Sequence, residues 1–324
     1  MFYDNWQDIL FFAFEHFTIL FYVSVLICMM NLTYKSKKGD ESSNHFYWHF
    51  TMNGVFDILY IFVNSYMAEY IQINVFFQWI NTNDWARKIF MFGLGAFISA
   101  SFVGNLYIVA SRFISMHFPI YYHRIWKRRT VLILLVLQVI VPFGANYHML
   151  FAKSTAKYIN ETGRYLYQMS DPTISWRNTY ILLSFSAISS ILGLIFSVIN
   201  IIKFKSILSN QQNRKEIKKI LFYVVYSVIL SIGVFTYATL YTLRLYYLVV
   251  SNSEARGVVT TYINYSGVVV TFVHPYAVLF MHSIFRQSYL HFLGVKKNNS
   301  VNGTTIMAKS FVRSDKVTRS VNIG

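Results

Sequence analysis

Seven runs of about 20 or more apolar residues limit what this chain can fold into, because about 20 residues of helix cross the hydrocarbon of a bilayer. Inside lipid every backbone N–H and C=O must find a partner within the protein, and a helix does this within one segment. The runs lie at 9–33, 46–71, 88–115, 130–151, 179–203, 220–250 and 258–285. The second is the most polar, since it carries Asp57 and Glu69. Only 13% of the residues are charged, against about 25% in soluble domains. Those charges cluster between the runs, so the expected class is an all-α membrane protein with a seven-transmembrane helix bundle. No repeat of solenoid or inverted-half type stands out. The expected domains are the bundle, residues 1–294, and a polar, basic, disordered cytoplasmic tail, residues 295–324.

Lysine and arginine set the expected orientation. With the N-terminus outside, 21 of them fall in inner segments and 7 in outer ones, while Arg244 lies within a span. The positive-inside rule therefore accounts for the net charge of +16, and nucleic acid is excluded as a partner. The start, "MFYDNWQDIL", is acidic and its apolar run is too long for a signal-peptide core, so it is expected to stay as the first span. Of the three glycosylation sequons outside the apolar runs, Asn160 falls in the second outer loop, while Asn298 and Asn302 fall in the inner tail. Asn160 is the one expected to carry a glycan.

Metal and enzyme chemistry find little support. The one cysteine, Cys28, lies in an apolar run, which rules out an internal disulfide and paired-cysteine zinc motifs. His45 and His49 have the spacing of two ligands on one helix face, but a membrane histidine-box enzyme needs several such clusters. The expectation is no enzyme, no cofactor and no metal.

Polar residues inside spans must face the bundle interior and find partners. Asp57 and His274 each lie about eleven residues from the inner end of their spans, about 16 Å deep. Ser101 and Asn105 fall at a similar height, which predicts a shared midplane layer of Asp57, Ser101, Asn105 and His274, with Pro275 kinking the last span. That layer is either a structural network or one that rearranges on activation. A second set lies nearer the outside: Glu15, His16, Glu69, Tyr237, Tyr241, Arg244, Tyr262 and Tyr265. It would line a ligand cavity, or else form an aromatic belt at the lipid interface. Ala96, Ala100 and Gly104 give span three a smooth stripe for close packing. Phe285, Tyr289 and Phe292 share one face of a short interfacial helix that Gly294 could cap.

The third span ends in "SRFISMHFPIYYHRIWKRR", with Arg112 followed seven residues later by Pro119. This resembles the end of the third helix of G-protein-coupled receptors, where an acidic-Arg-Tyr triplet precedes a proline at that spacing. Asp57 resembles the family's midplane aspartate, and His274-Pro275 its Asn-Pro of helix seven. "ASRFISMHFPIYYHRIW" with the late "HPY" is most similar to nematode chemoreceptors of the serpentine receptor class gamma superfamily, class V relatives included. The resemblance covers about residues 9–294. It implies a plasma-membrane receptor, with a sensory neuron as its expected cell, that binds a small molecule outside and a heterotrimeric G protein inside. Arg112 would face the G-protein cavity, and Pro119, Arg124, Lys127 and Arg128 would flank it. The chain departs from the pattern in three ways. It lacks the usual disulfide; span six has no proline, only Gly233; and Ser111 replaces the acid beside Arg112. A seven-span channel or transporter is the alternative, with Asp57, His274 and Glu15 beginning a polar path.

Overall fold

The computed structural model describes residues 6–35, 41–68, 79, 82–159, 164–210, 214–281 and 283–295. Its helices are α1 (Trp6–Lys35), α2 (Glu41–Ala68), α3 (Asp84–His117), α4 (Pro119–Ile125), α5 (Arg128–Asn146), α6 (Pro172–Asn210), α7 (Arg214–Val249), α8 (Ser253–Met281) and α9 (Ser283–Phe292). Between α5 and α6 run a 3-10 turn, Tyr147–Phe151, and two strands, β1 (Ser154–Ile159) and β2 (Arg164–Met169). The strands pair antiparallel, from Ser154 opposite Met169 to Ile159 opposite Arg164. This hairpin adds a β element to the all-helical expectation. Its segments, "STAKYI" and "RYLYQM", are too short and too weakly alternating to announce themselves.

Among the described residues, six helical segments are long and apolar enough to cross a membrane: Ala13–Tyr34, Asp84–His117, Arg128–Phe151, Pro172–Ser206, Val224–Val249 and Ser253–Phe280. The chain is a multi-pass membrane protein. Helix α2, where the sequence places the second span, is 28 residues long but more polar. Its polarity is one-sided. His49, Asn53, Asp57, Asn64 and Ser65 are buried, while Trp48, Val55, Leu59 and Phe62 are exposed. Helix α6, at 39 residues, is about 58 Å long and overruns a hydrocarbon layer of about 30 Å.

Helix α3 is the axis of the bundle. It packs against α2, α4, α5, α6 and α7, while α1 and α2 both meet α8. Its small residues make this possible: Gly93, Gly95, Ala96, Ser99, Ala100, Ser101 and Gly104 are all buried. At its inner end the residue before Pro119 is disfavoured from α geometry. Phe118 accordingly leaves the helix at φ −133, ψ 58, and Pro119 starts α4 at a position that tolerates its missing N–H. Helix α4 then folds back. Tyr122 and Trp126 stack at 5.9 Å and bury themselves with Val131 against Ile114, Leu134 and Leu135.

Helix α9 is a separate element rather than an extension of α8. Phe285 and Tyr289 are buried, and the Tyr289 hydroxyl lies 2.6 Å from Ser24 Oγ on α1. Phe292, expected on the same apolar face, is 42% exposed. Gly294, at φ 72, ends the helix. Its N–H donates to His291 O and the Val295 N–H donates to Leu290 O, the paired bonds of a Schellman cap.

Removing the Trp126 ring leaves a cavity under α4, so Trp126→Ala lowers stability by about 3 kcal/mol or more. Arg124→Ala, at an exposed site, changes it by less than about 0.5 kcal/mol. Thermal unfolding of the purified protein, followed by the reactivity of the buried Cys28 thiol, checks the contrast.

Candidate functional site

The predicted midplane residues meet, and they bring others with them. Asp57 is fully buried. Its carboxylate accepts from Tyr22 Oη at 2.8 Å, from Asn53 Nδ2 at 3.3 Å and from Ser101 Oγ. His274 Nε2 faces Asp57 Oδ2 at 3.7 Å and Asn53 Nδ2 at 3.4 Å. Its Nδ1 lies 2.7 Å from the Tyr226 hydroxyl. The tautomer sets the roles: a proton on Nδ1 donates to Tyr226 and leaves Nε2 to accept from Asn53, whereas a proton on Nε2 faces the carboxylate while Tyr226 donates to Nδ1. Asn53 Nδ2 also donates to Asn105 Oδ1 at 3.1 Å, and Gln138 Nε2 donates to Asn53 Oδ1 at 3.3 Å and to the Ala100 carbonyl at 3.1 Å.

This network joins six helices: Tyr22 from α1, Asn53 and Asp57 from α2, Ser101 and Asn105 from α3, Gln138 from α5, Tyr226 from α7 and His274 from α8. Sequence reasoning named four of the eight. Asn53 is detectable one helical turn before Asp57, and Gln138 as a lone amide in "TVLILLVLQVIVPFG". Tyr22 and Tyr226 carry no comparable signal among 25 tyrosines. Gly104 turns out to be more than part of a packing stripe, because a Cβ there would occupy the space of Asn53 Oδ1 and Gln138 Nε2. The α2–α5 bond passes through the gap this glycine leaves in the face of α3. Helix α8 continues through Pro275 without ending.

The outer set divides. Tyr237 and Tyr241 are buried with ring centroids 5.0 Å apart. Tyr60, which the sequence did not single out, hydrogen-bonds Tyr237, and Tyr237 hydrogen-bonds Tyr241. Phe102 packs edge-on against Tyr237 at 4.9 Å. These rings belong to the core with Ile98, Val234 and Ile263, so they are not a belt at the lipid surface. The Arg244 guanidinium lies 5.6 Å over the Tyr241 ring. Glu15 is buried and accepts a bond from Ser65 Oγ. His16 and Tyr265 are partly buried, whereas Tyr262 is 60% exposed and stands apart from the tyrosine core. Glu69 and Asn160 lie outside the described residues.

At the C-terminal end of α3, Arg112 is partly buried. Ser111, in the place of the acid, donates to the Ile108 carbonyl at 2.8 Å. Phe113 stacks on Phe196 of α6 at 4.8 Å. Pro119, Arg124, Lys127 and Arg128 are exposed. His49, one of the paired histidines, is buried with its ring 5.9 Å from Tyr107 and 6.0 Å from Trp126. Among the described residues no three His, Cys, Asp or Glu side chains group as a metal site would require.

A bundle of apolar helices closed around a buried polar cluster defines a multi-pass helical membrane protein. A family model described as Srg family chemoreceptor matches residues 12–289. The chain belongs to that family, the serpentine receptor class gamma chemoreceptors of nematodes. No curated protein matches it.

Gly104→Ala forces Asn53 and Gln138 apart and costs about 1–3 kcal/mol of stability, the range for overpacking a close-packed site. Gly144→Ala, where nothing lies within 4 Å of the added carbon, is neutral or stabilising by up to about 1 kcal/mol. Thermal unfolding in detergent compares the two.

Proposed function

We propose that the chain is a seven-span chemosensory receptor with its N-terminus outside. A small molecule reaching the outer half would shift the bundle between two packings, and a heterotrimeric G protein would bind the inner face preferentially in one of them. The observation that carries this is the six-helix network. It offers a discrete set of hydrogen bonds shared among six helices, with Tyr226 of α7 and His274 of α8 among them. The seventh span is α2, which directs its polar residues inward and offers lipid an apolar face. The outer chemistry consists of Glu15, His16, Glu69, Tyr237, Tyr241, Arg244 and Tyr265, joined by Tyr60. The aromatic content suits a small, partly apolar molecule.

At the inner face, Arg112 would contact the G protein, with Arg124, Lys127 and Arg128 flanking the cavity. The two expected settings are the plasma membrane and a sensory neuron. A ligand screen with a G-protein readout tests the proposal. Ligand-dependent current or uptake in cells that lack G proteins would instead make the chain a channel or transporter.

With an agonist from that screen, Arg112→Ala is expected to reach the cell surface normally and lose at least about tenfold in signalling, equivalent to about 1.4 kcal/mol of coupling. Unchanged signalling would remove Arg112 from the role. Asn160→Gln is expected to abolish the glycan shift on a gel. A shift that survives it would place the tail sequons in the lumen and invert the topology.

A further inference from the structure

Direct hydrogen bonds tie six long helices to the midplane and leave out α6. Helix α6 makes side-chain hydrogen bonds elsewhere, from Ser197 to Ser231 on α7 at 3.2 Å and between Asn200 and His117 on α3. Between α3, α6 and α7 lies a small cleft lined by Asn105, Leu106, Val109, Ser189, Gly193, Leu230, Ser231 and Val234, with room for about one water.

The orientation of Asn105 toward this cleft follows step by step. The Ala100 carbonyl must receive the N–H of Gln138. Gln138 then offers Nε2 to Asn53, which must present Oδ1 in return. That choice turns Asn53 Nδ2 toward Asn105, which must answer with Oδ1. Asn105 Nδ2 is thereby left as a donor, and it is buried without a partner. An unpaired buried N–H of this kind is unfavourable and rare. The residue is 3% exposed, and it lines the cleft together with the hydroxyl-bearing Ser189 and Ser231.

We propose that the cleft is a binding site for one ordered water. Its oxygen accepts from Asn105 Nδ2, and its hydrogens reach the Ser189 and Ser231 hydroxyl oxygens. Three such bonds are what a buried water ordinarily makes. The inward-facing N–H donor disfavours a cation in the same place. Through this water α6 joins the network, so every long helix of the bundle is tied to Asp57 by hydrogen bonds. The inference stands apart from the receptor proposal and needs no ligand.

X-ray radiolytic labelling of the full chain in 18O water, in nanodiscs, tests it directly. Leu230 and Val234 are buried as deeply as the core residue Ile98, yet they should take up label from the trapped water while Ile98 does not. Labelling of Leu230 should fall in Ser189→Val. Equal labelling of Leu230 and Ile98 in the natural chain would overturn the site.

A double-mutant cycle gives a second readout. Asn105 and Ser189 share no direct hydrogen bond; coupling through the shared cleft alone is set by the Asn105→Ala and Leu230→Ala pair, and the water adds to it. With it, the combined Asn105→Ala and Ser189→Ala loss should be clearly smaller than the sum. Ser190→Ala, on the same helix but outside the cleft lining, should add fully. Additive losses for the Asn105 and Ser189 pair would count against the water, whatever the labelling showed for other residues.

Discussion

A carboxylate in the middle of a bilayer cannot be left to itself, and the organisation of this bundle follows from that. Burying an unpaired charge costs several kcal/mol even after relaxation. Asp57 therefore has to be surrounded by donors, which must come from several helices because one helix presents only a narrow face to any point. Tyr22, Asn53 and Ser101 supply them from α1, α2 and α3. Each donor's own remaining valences then need partners, which extends the network to Asn105, Gln138, His274 and Tyr226. Between helices in lipid the hydrophobic effect is weak, and polar contacts of this sort help specify which face meets which. The apolar core fills in around this arrangement. One cluster below it includes Tyr22, Met29, Phe50 and Ile108, and one above it includes Tyr60, Ile98, Phe102 and Tyr237.

Much of this was legible in the sequence, for a physical reason. Lipid makes each intramembrane polar residue costly, so each one stands out. A rise of about 1.5 Å per residue then converts sequence position into depth. Asp57, Ser101, Asn105 and His274 could be placed in one layer on that arithmetic alone. Tyrosine defeats the same logic, because its ring belongs in a core and only the hydroxyl is polar. Tyr22, Tyr60 and Tyr226 gave no sign of which hydroxyls would be used. Glycine defeats it differently. The spacing of Ala96, Ala100 and Gly104 predicted a close approach of helices, and a side-chain bond between α2 and α5 crosses that same surface at Gly104.

The outer half was less legible because aromatic residues have two stable homes there. A tyrosine near the end of a span can sit at the lipid interface or in the core. Tyr262 is exposed while Tyr237 and Tyr241 are buried, although all three were expected in one set. The difference lies in helix rotation, which depends on every packing contact of α7 and α8 and not on any local motif. The hairpin between α5 and α6 escaped notice for a related reason. Its backbone pairs with itself, and the pairing of Ser154 with Met169 is a relation between distant residues.

At the inner end the sequence departure and the structure have the same consequence. With Ser111 bonded to the Ile108 carbonyl of its own helix, Arg112 has no acidic neighbour in sequence to hold it. Contact between α3 and α6 comes instead from the stacked Phe113 and Phe196 rings. An aromatic stack weakens gradually as helices slide, whereas an ion pair in a low-dielectric site holds until it breaks. In this chain the direct hydrogen bonds that tie the helices are those of the buried polar cluster around Asp57 and His274.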